Sequence, residues 1–154
     1  MHDDLTLILP EADPAVTDTV ENALTTVRDS LRIVRTVDYS VVIDTGRQFS
    51  DGEPVVVRAW MPTNNKESLV FGDGGATYVR LGEQATEAPD YALSVRRELL
   101  EHLPVREIKG QIYVMSKLRD AAEAMTLLAD SLLMLDVAVI VANHLRPKIR
   151  NGTP

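Results

Sequence analysis

The sequence predicts an α+β fold: a mainly antiparallel sheet of about five strands, packed with an N-terminal helix, a middle helix and a long C-terminal helix. Three patterns carry that expectation. Apolar residues recur every three or four positions from Val16 to Val34, the mark of a helix with one buried stripe. From Val37 to Ile43 the period drops to two, as in a half-buried strand, and short β-branched runs divided by turn residues follow. Helical spacing returns near Lys117, where Leu118, Ala122, Met125, Ala129, Leu132 and Val139 share one face.

Asp13-Pro14 offers a capping acceptor and then a proline whose missing N–H costs nothing at the first helical position, so helix one is expected to begin there. Its stripe of Val16, Val20, Ala23, Val27, Leu31 and Val34 runs to about Arg35. Asp18 and Glu21 lie toward the positive end of its dipole, and Arg28, Arg32 and Arg35 toward the negative end. In the first strand Val37, Tyr39, Val41 and Ile43 alternate with Asp38, Ser40, Val42 and Asp44. Gly46 and Ser50-Asp51-Gly52 supply turn chemistry before a second strand over 55–61, which Pro62 ends. After the polar turn 63–66, a short third strand over 68–71 is halted by Gly72-Asp73-Gly74-Gly75, where positive φ is easily reached. Residues 76–82 read as a strand or as a helix start, because Tyr78-Val79 favours pleating while the spacing is too short to decide. Pro89-Asp90 opens a middle helix with Ala92, Val95, Leu99 and Leu103 on one face, and Pro104 bars its continuation. Residues 105–108 and 111–115 flank Lys109-Gly110 as a hairpin. The last helix is expected over about 117–144, interrupted by Arg146-Pro147, with 146–154 as a polar tail.

A chain of 154 residues and 17.0 kDa suits a single domain over 1–154, with 1–12 as an N-terminal segment and no repeat or linker-like block to divide it. With 45% hydrophobic and 25% charged residues, disordered and low-complexity architectures are poor readings. Sixteen Lys plus Arg face 23 Asp plus Glu, and the resulting charge of −7 opposes adhesion to polyanions, so direct nucleic-acid binding is disfavoured. The absence of cysteine removes disulfides, thiol nucleophiles and thiolate metal sites, and fits a reducing cytoplasm. The start Met1-His2-Asp3-Asp4 lacks the basic opening of a secretory signal.

The apolar stretch 127–142 is cut by Asp130 and Asp136 and reads as a buried helix, too short for the roughly 20 apolar residues of a bilayer crossing. No membrane partner is expected. Its second half is apolar around nearly the whole circumference, through Leu133, Met134, Leu135, Val137, Ala138, Ile140 and Val141. Such a helix needs cover on more than one side, from sheet and helix one together or from a second chain. Leu133, Val137, Ile140 and Val141 are the candidates for a homodimer interface.

The strand 39–43, the segment Ser68-Leu69-Val70-Phe71-Gly72-Asp73-Gly74-Gly75-Ala76-Thr77 and the run Gly110-Gln111-Ile112-Tyr113-Val114 resemble a family of bacterial and phage proteins, domain of unknown function family 1828, over roughly 33–141. The resemblance implies a phage or mobile-element setting and no particular activity. The family pattern places an acidic residue just before the Asp-Gly of the turn, where this chain has Gly72, so a function needing paired acids there is not implied.

Catalytic signatures are sparse. His2, His102 and His144 form no cluster and no His-Glu-x-x-His pattern exists, so no metal and no cofactor are expected. No Gly-x-Ser-x-Gly elbow appears. Gly72-Asp73-Gly74-Gly75 lacks both dinucleotide and P-loop fingerprints and reads as a tight turn, with Asp73 capping backbone or facing a ligand. The element order is similar to the core of restriction-endonuclease-like nucleases. Asp44 and Glu53 are possible acids there, beside Asp73, but Val57-Arg58-Ala59-Trp60 stands where an acid-x-lysine motif belongs. The basic tail of Arg146, Lys148 and Arg150 reads as solvated. Trp60 and Tyr78 read first as core aromatics. If Arg58 and Trp60 face outward while Val55, Val57 and Ala59 face inward, the outer sheet side becomes a partner surface. The binding-surface candidates are thus Arg58, Trp60, Asp73, Gly74 and Gly75. The expected function is non-enzymatic association with a host or phage protein in the cytoplasm, as an accessory regulator or an inhibitor of a host defence system. The alternative is a metal-dependent nucleic-acid enzyme or a degenerate nuclease.

Overall fold

The computed structural model describes residues 16–25, 32–37, 40–62, 65–84 and 89–151, with backbone alone for 32–37, 82–84, 89 and 142–151. The elements run α1 (Val16–Ala23), β1 (Arg32–Val37), β2 (Ser40–Gln48), β3 (Pro54–Trp60), β4 (Ser68–Gly72), α2 (Ala76–Gln84), α3 (Pro89–Leu100), β5 (Arg106–Ile108), β6 (Gln111–Lys117) and, after one 3-10 turn (Leu118–Asp120), α4 (Ala121–Asn151). The six strands form one sheet in the order β1-β2-β3-β4-β6-β5, and every neighbouring pair is antiparallel. The α+β class, the meander and the long C-terminal helix are as expected.

The sixth strand comes from residues assigned to helix one. Among the described residues α1 ends at Ala23, and Arg32–Val37 pairs with β2 from Arg32 opposite Asp44 to Val37 opposite Ser40. Val27, Leu31 and Val34 suit a helix stripe by spacing, but 32–37 is also a β-branched run beside a free sheet edge, and ladder hydrogen bonds decide. Asp13-Pro14 and Tyr39 lie outside the described residues. Residues 76–84 are helical, with Tyr78 and Val79 turned to solvent. The hairpin turn is type I′: Lys109 and Gly110 both have positive φ, 49° and 81°, between the paired Ile108 and Gln111. Helix α4 continues past Pro147 to Asn151, so the interruption expected at Arg146-Pro147 does not occur.

One sheet face carries the main core. Val41, Ile43, Val55, Val57, Ala59, Leu69, Phe71 and Ile112 meet Val16, Val20 and Leu24 of and just after α1, and Met125, Leu128, Leu132 and Leu135 of α4. Helices α2 and α3 pack on the second half of α4 through Leu81, Ala92 and Val139. By length and composition residues Leu118–Val141 suffice to cross a membrane, a longer span than the stretch 127–142 judged too short from the sequence, and half of its 18-residue apolar window is buried inside the fold.

On the opposite sheet face Trp60, Val70 and Tyr113 form a smaller cluster with Ile108 against it. Gly72 lies beneath Trp60: a Cβ added there would stand 3.0 Å from Trp60 Cη2 and 3.1 Å from Gln111 Oε1. The indole ring thus occupies the space of any side chain at this position. We expect Gly72→Ala to destabilise the fold by about 1–3 kcal/mol, through overpacking against a ring that has nowhere to retreat. A urea titration that shows no loss would contradict this packing.

Candidate interaction surface

Two buried arginines organise the helical layer. Arg80 of α2 donates from Nε to Asp136 Oδ1 at 3.0 Å, and from Nη1 to Asp51 Oδ2 at 3.0 Å and Glu53 Oε2 at 2.9 Å. Its guanidinium carbon stands 4.0 Å from the centre of the Phe49 ring, and Ser50 Oγ donates to Asp136 Oδ2 at 3.1 Å. One cation thereby joins α2, α4 and the β2–β3 turn. Burial opposes the charge on Arg80, but hydrogen bonds to Asp51 and Asp136 outweigh it and raise its pKa. The backbone N–H of Glu53, and then Arg80, hold the Asp51 carboxyl below its ordinary 3.8.

The second arginine, Arg96 of α3, donates from Nη2 to Glu107 Oε2 at 2.6 Å and from Nη1 toward Thr77 Oγ1 at 3.4 Å, with the ring of Tyr78 5.6 Å away. Thr77 leads on to Asp73. The Asp73 carboxylate accepts Gly75 N at 2.8 Å and Ile112 N at 2.9 Å on Oδ1, and Thr77 N at 3.1 Å and Thr77 Oγ1 at 2.7 Å on Oδ2. It satisfies the free N–H groups at the start of α2 and pins them to β6.

These networks relocate several candidates. Asp73, expected as a cap or a ligand contact, is buried and saturated by four donors, so it is a cap and leaves the binding surface. Trp60 does share the face of Arg58, opposite Val55, Val57 and Ala59, but at 2% exposure it is the core aromatic of its first reading and leaves the binding surface, whereas Tyr78, read the same way, is 47% exposed and is not a core residue. Arg58 is half-buried, its Cδ 3.9 Å from where a Cβ on Gly74 would stand. Gly74 is exposed and Gly75 half-buried, with φ of 63° and 83° that only the turn requires. Asp44 accepts Gly46 N at 2.9 Å and Glu53 pairs with Arg80, so these acids do not meet at one point. Among the described residues no three His, Asp or Glu side chains converge to hold a metal.

The surface that stands out is the outer side of α4. Leu127, Met134, Val137 and Val141 are 39%, 51%, 52% and 48% exposed, although each is large and apolar. Met134 and Val137 join Leu133, Ala138 and Leu99 of α3 in an open apolar groove of about 410 Å³. Of the expected interface residues, Val137 and Val141 are exposed, while Leu133 and Ile140 are half-buried; Leu133 packs against the main core. Leu99, Leu127 and Met134 were missed, although Leu127, Met134 and Val141 recur at sevenfold spacing in the sequence. Arg47 forms an ion pair with Asp130 beside this strip.

Arg80→Met should cost about 3–5 kcal/mol in thermal or urea unfolding, because Asp136 is left buried with only Ser50 to answer it, and Arg80→Met/Asp136→Leu should recover much of that loss. Because the Asp51 carboxyl is depressed, its share of stability is present above 3.8 and fades as pH falls through the carboxylate range, more steeply in wild type than in Arg80→Met. Asp73→Ala should lose roughly 2–4 kcal/mol, as four donors lose one charged acceptor. A stable Asp73→Ala chain would return that carboxylate to the list of ligand groups.

Comparison of the chain with protein-family models, with curated proteins and with solved structures finds no match.

Proposed function

We propose that this chain is a non-enzymatic interaction domain that acts by holding another protein, as an accessory regulator or an inhibitor of a host defence system. The observation that carries the reading is the apolar groove of Leu99, Leu133, Met134, Val137 and Ala138, an exposed hydrophobic patch between α3 and the outer side of α4. The buried charged side chains work inward. Arg80, Arg96 and their carboxylate partners are consumed in joining helices to sheet, and Asp73 in starting α2, which supports association over hydrolysis. The bacterial or phage setting, and with it a host cytoplasm, rests on the resemblance to family 1828 read from the sequence, which no family model matches, and on the cysteine-free composition.

Met134→Glu/Val137→Asp tests the reading, since both positions are exposed and a folded chain is expected, checked by its far-ultraviolet circular dichroism. Binding to a purified protein partner, first trapped by cross-linking in the native host, should weaken by more than about tenfold. Divalent-metal-dependent cleavage of DNA or RNA by the wild type, lost in Asp44→Ala, would overturn it.

A further inference from the structure

Along α4 the residues Glu123, Leu127, Asp130, Met134, Val137 and Val141 succeed one another at alternating intervals of four and three, and the alternation continues through His144 to Lys148 inside the same helix. Such alternation averages about 3.5 residues, the repeat of two helices lying side by side. Its apolar members are the exposed ones, and Glu123 is exposed as well. Asp130, the one carboxylate on the strip between Leu127 and Val141, is already matched by Arg47, so covering the strip strands no unpaired charge there.

We infer that a second copy of this chain covers the strip, with the two α4 helices antiparallel about a twofold axis. In that register Met134 stands opposite Val137, Asp130 opposite Val141, Leu127 opposite His144 and Glu123 opposite Lys148. Glu123 stands in the first turn of the helix, where Asp120 just ahead of it already pairs with Arg119, and the end of the helix carries Arg146, Lys148 and Arg150. Antiparallel pairing brings each Glu123 to the other's basic end, whereas parallel pairing sets Glu123 on Glu123 and Lys148 on Lys148. A chain of charge −7 that meets its own copy needs such local matching. The same charge is repelled by an anionic lipid surface. Beside the axis, the groove between Leu99, Leu133 and Ala138 offers a seat for the flexible thioether of Met134 from the other copy.

This inference rests on the reading of α4 as the association face and names its occupant. Sedimentation equilibrium of the full chain at micromolar concentration should give twice 17.0 kDa, and Val137→Asp should give 17.0 kDa with its circular dichroism spectrum retained. Glu123→Lys should weaken self-association about three- to tenfold, and Glu123→Lys/Lys148→Glu should restore it. A monomeric wild type overturns the inference, as does a dimer indifferent to Val137→Asp or one that the double reversal leaves weakened. Binding of the monomer to phosphatidylethanolamine and phosphatidylglycerol vesicles, abolished by Val137→Asp, overturns it in favour of lipid. A monomer whose protein partner is still lost in Met134→Glu/Val137→Asp removes the second copy and leaves the wider reading intact. A dimer with Asp44-dependent nuclease activity keeps the second copy and removes that reading.

Discussion

The buried ion pair between Arg80 and Asp136 is the constraint on which the helical layer depends. Asp136 sits between Leu135 and Val137 on α4, and its carboxylate has one place to go: the guanidinium of α2, itself held by Asp51 and Glu53 at the β2–β3 turn. A buried charge without that partner costs several kcal/mol, so the pair restricts how α4 can rotate about its axis. With Asp136 turned in, Leu128, Leu132, Leu135 and Val139 face the fold, and Leu127, Met134, Val137 and Val141 face out. The apolar strip on the surface is therefore held in place by an ionic contact on the other side of the same helix.

A second polar chain does similar work at the other end of the helical pair. Asp73 closes the start of α2 onto β6, Thr77 receives Arg96 of α3, and Arg96 reaches Glu107 on the edge strand β5. The Gly72–Gly75 turn, which invites a phosphate-binding reading in one dimension, becomes a joint between sheet and helices. Glycine is needed there for two separate reasons. Gly74 and Gly75 take positive φ, while Gly72 yields its side-chain space to Trp60. A side chain at position 72 would press its Cβ to 3.0 Å from the indole ring, so an acid there requires Trp60 to shift. The two networks leave between them a cavity of only about 10 Å³, lined by Thr77, Arg96 and Asp136 among others, so the polar interior has little room to spare.

Much of the fold is legible from periodicity. The alternation of β3, the Lys109-Gly110 hairpin and the apolar stripe of α4 read directly, because each reports a local geometry with a fixed repeat, whereas β2, expected to be half-buried, is buried at four successive residues from Ser40 to Ile43. The helix reading of residues 32–35, which lie in β1, fails for the opposite cause. Val27, Leu31 and Val34 obey a helical spacing, yet the segment 32–37 is drawn into the sheet by backbone bonds offered from β2, a partner that no local pattern reveals. Residues 76–82 are undecided in sequence for the same reason in mirror image: Tyr78 and Val79 have strand character, but the carboxylate of Asp73 supplies the helix start.

What the sequence determined by itself is the class of the domain, the order of most of its elements and the existence of a C-terminal helix with more apolar surface than one face can bury, since these follow from residue type and spacing alone. Tertiary structure decided which surface stays uncovered, that Trp60 is core and Asp73 a cap, and that Arg80 and Arg96 are interior. An arginine in an exposed turn and one in a buried network are identical in sequence; only the convergence of distant carboxylates, from Asp51, Glu53 and Asp136 in one case and Glu107 in the other, tells them apart.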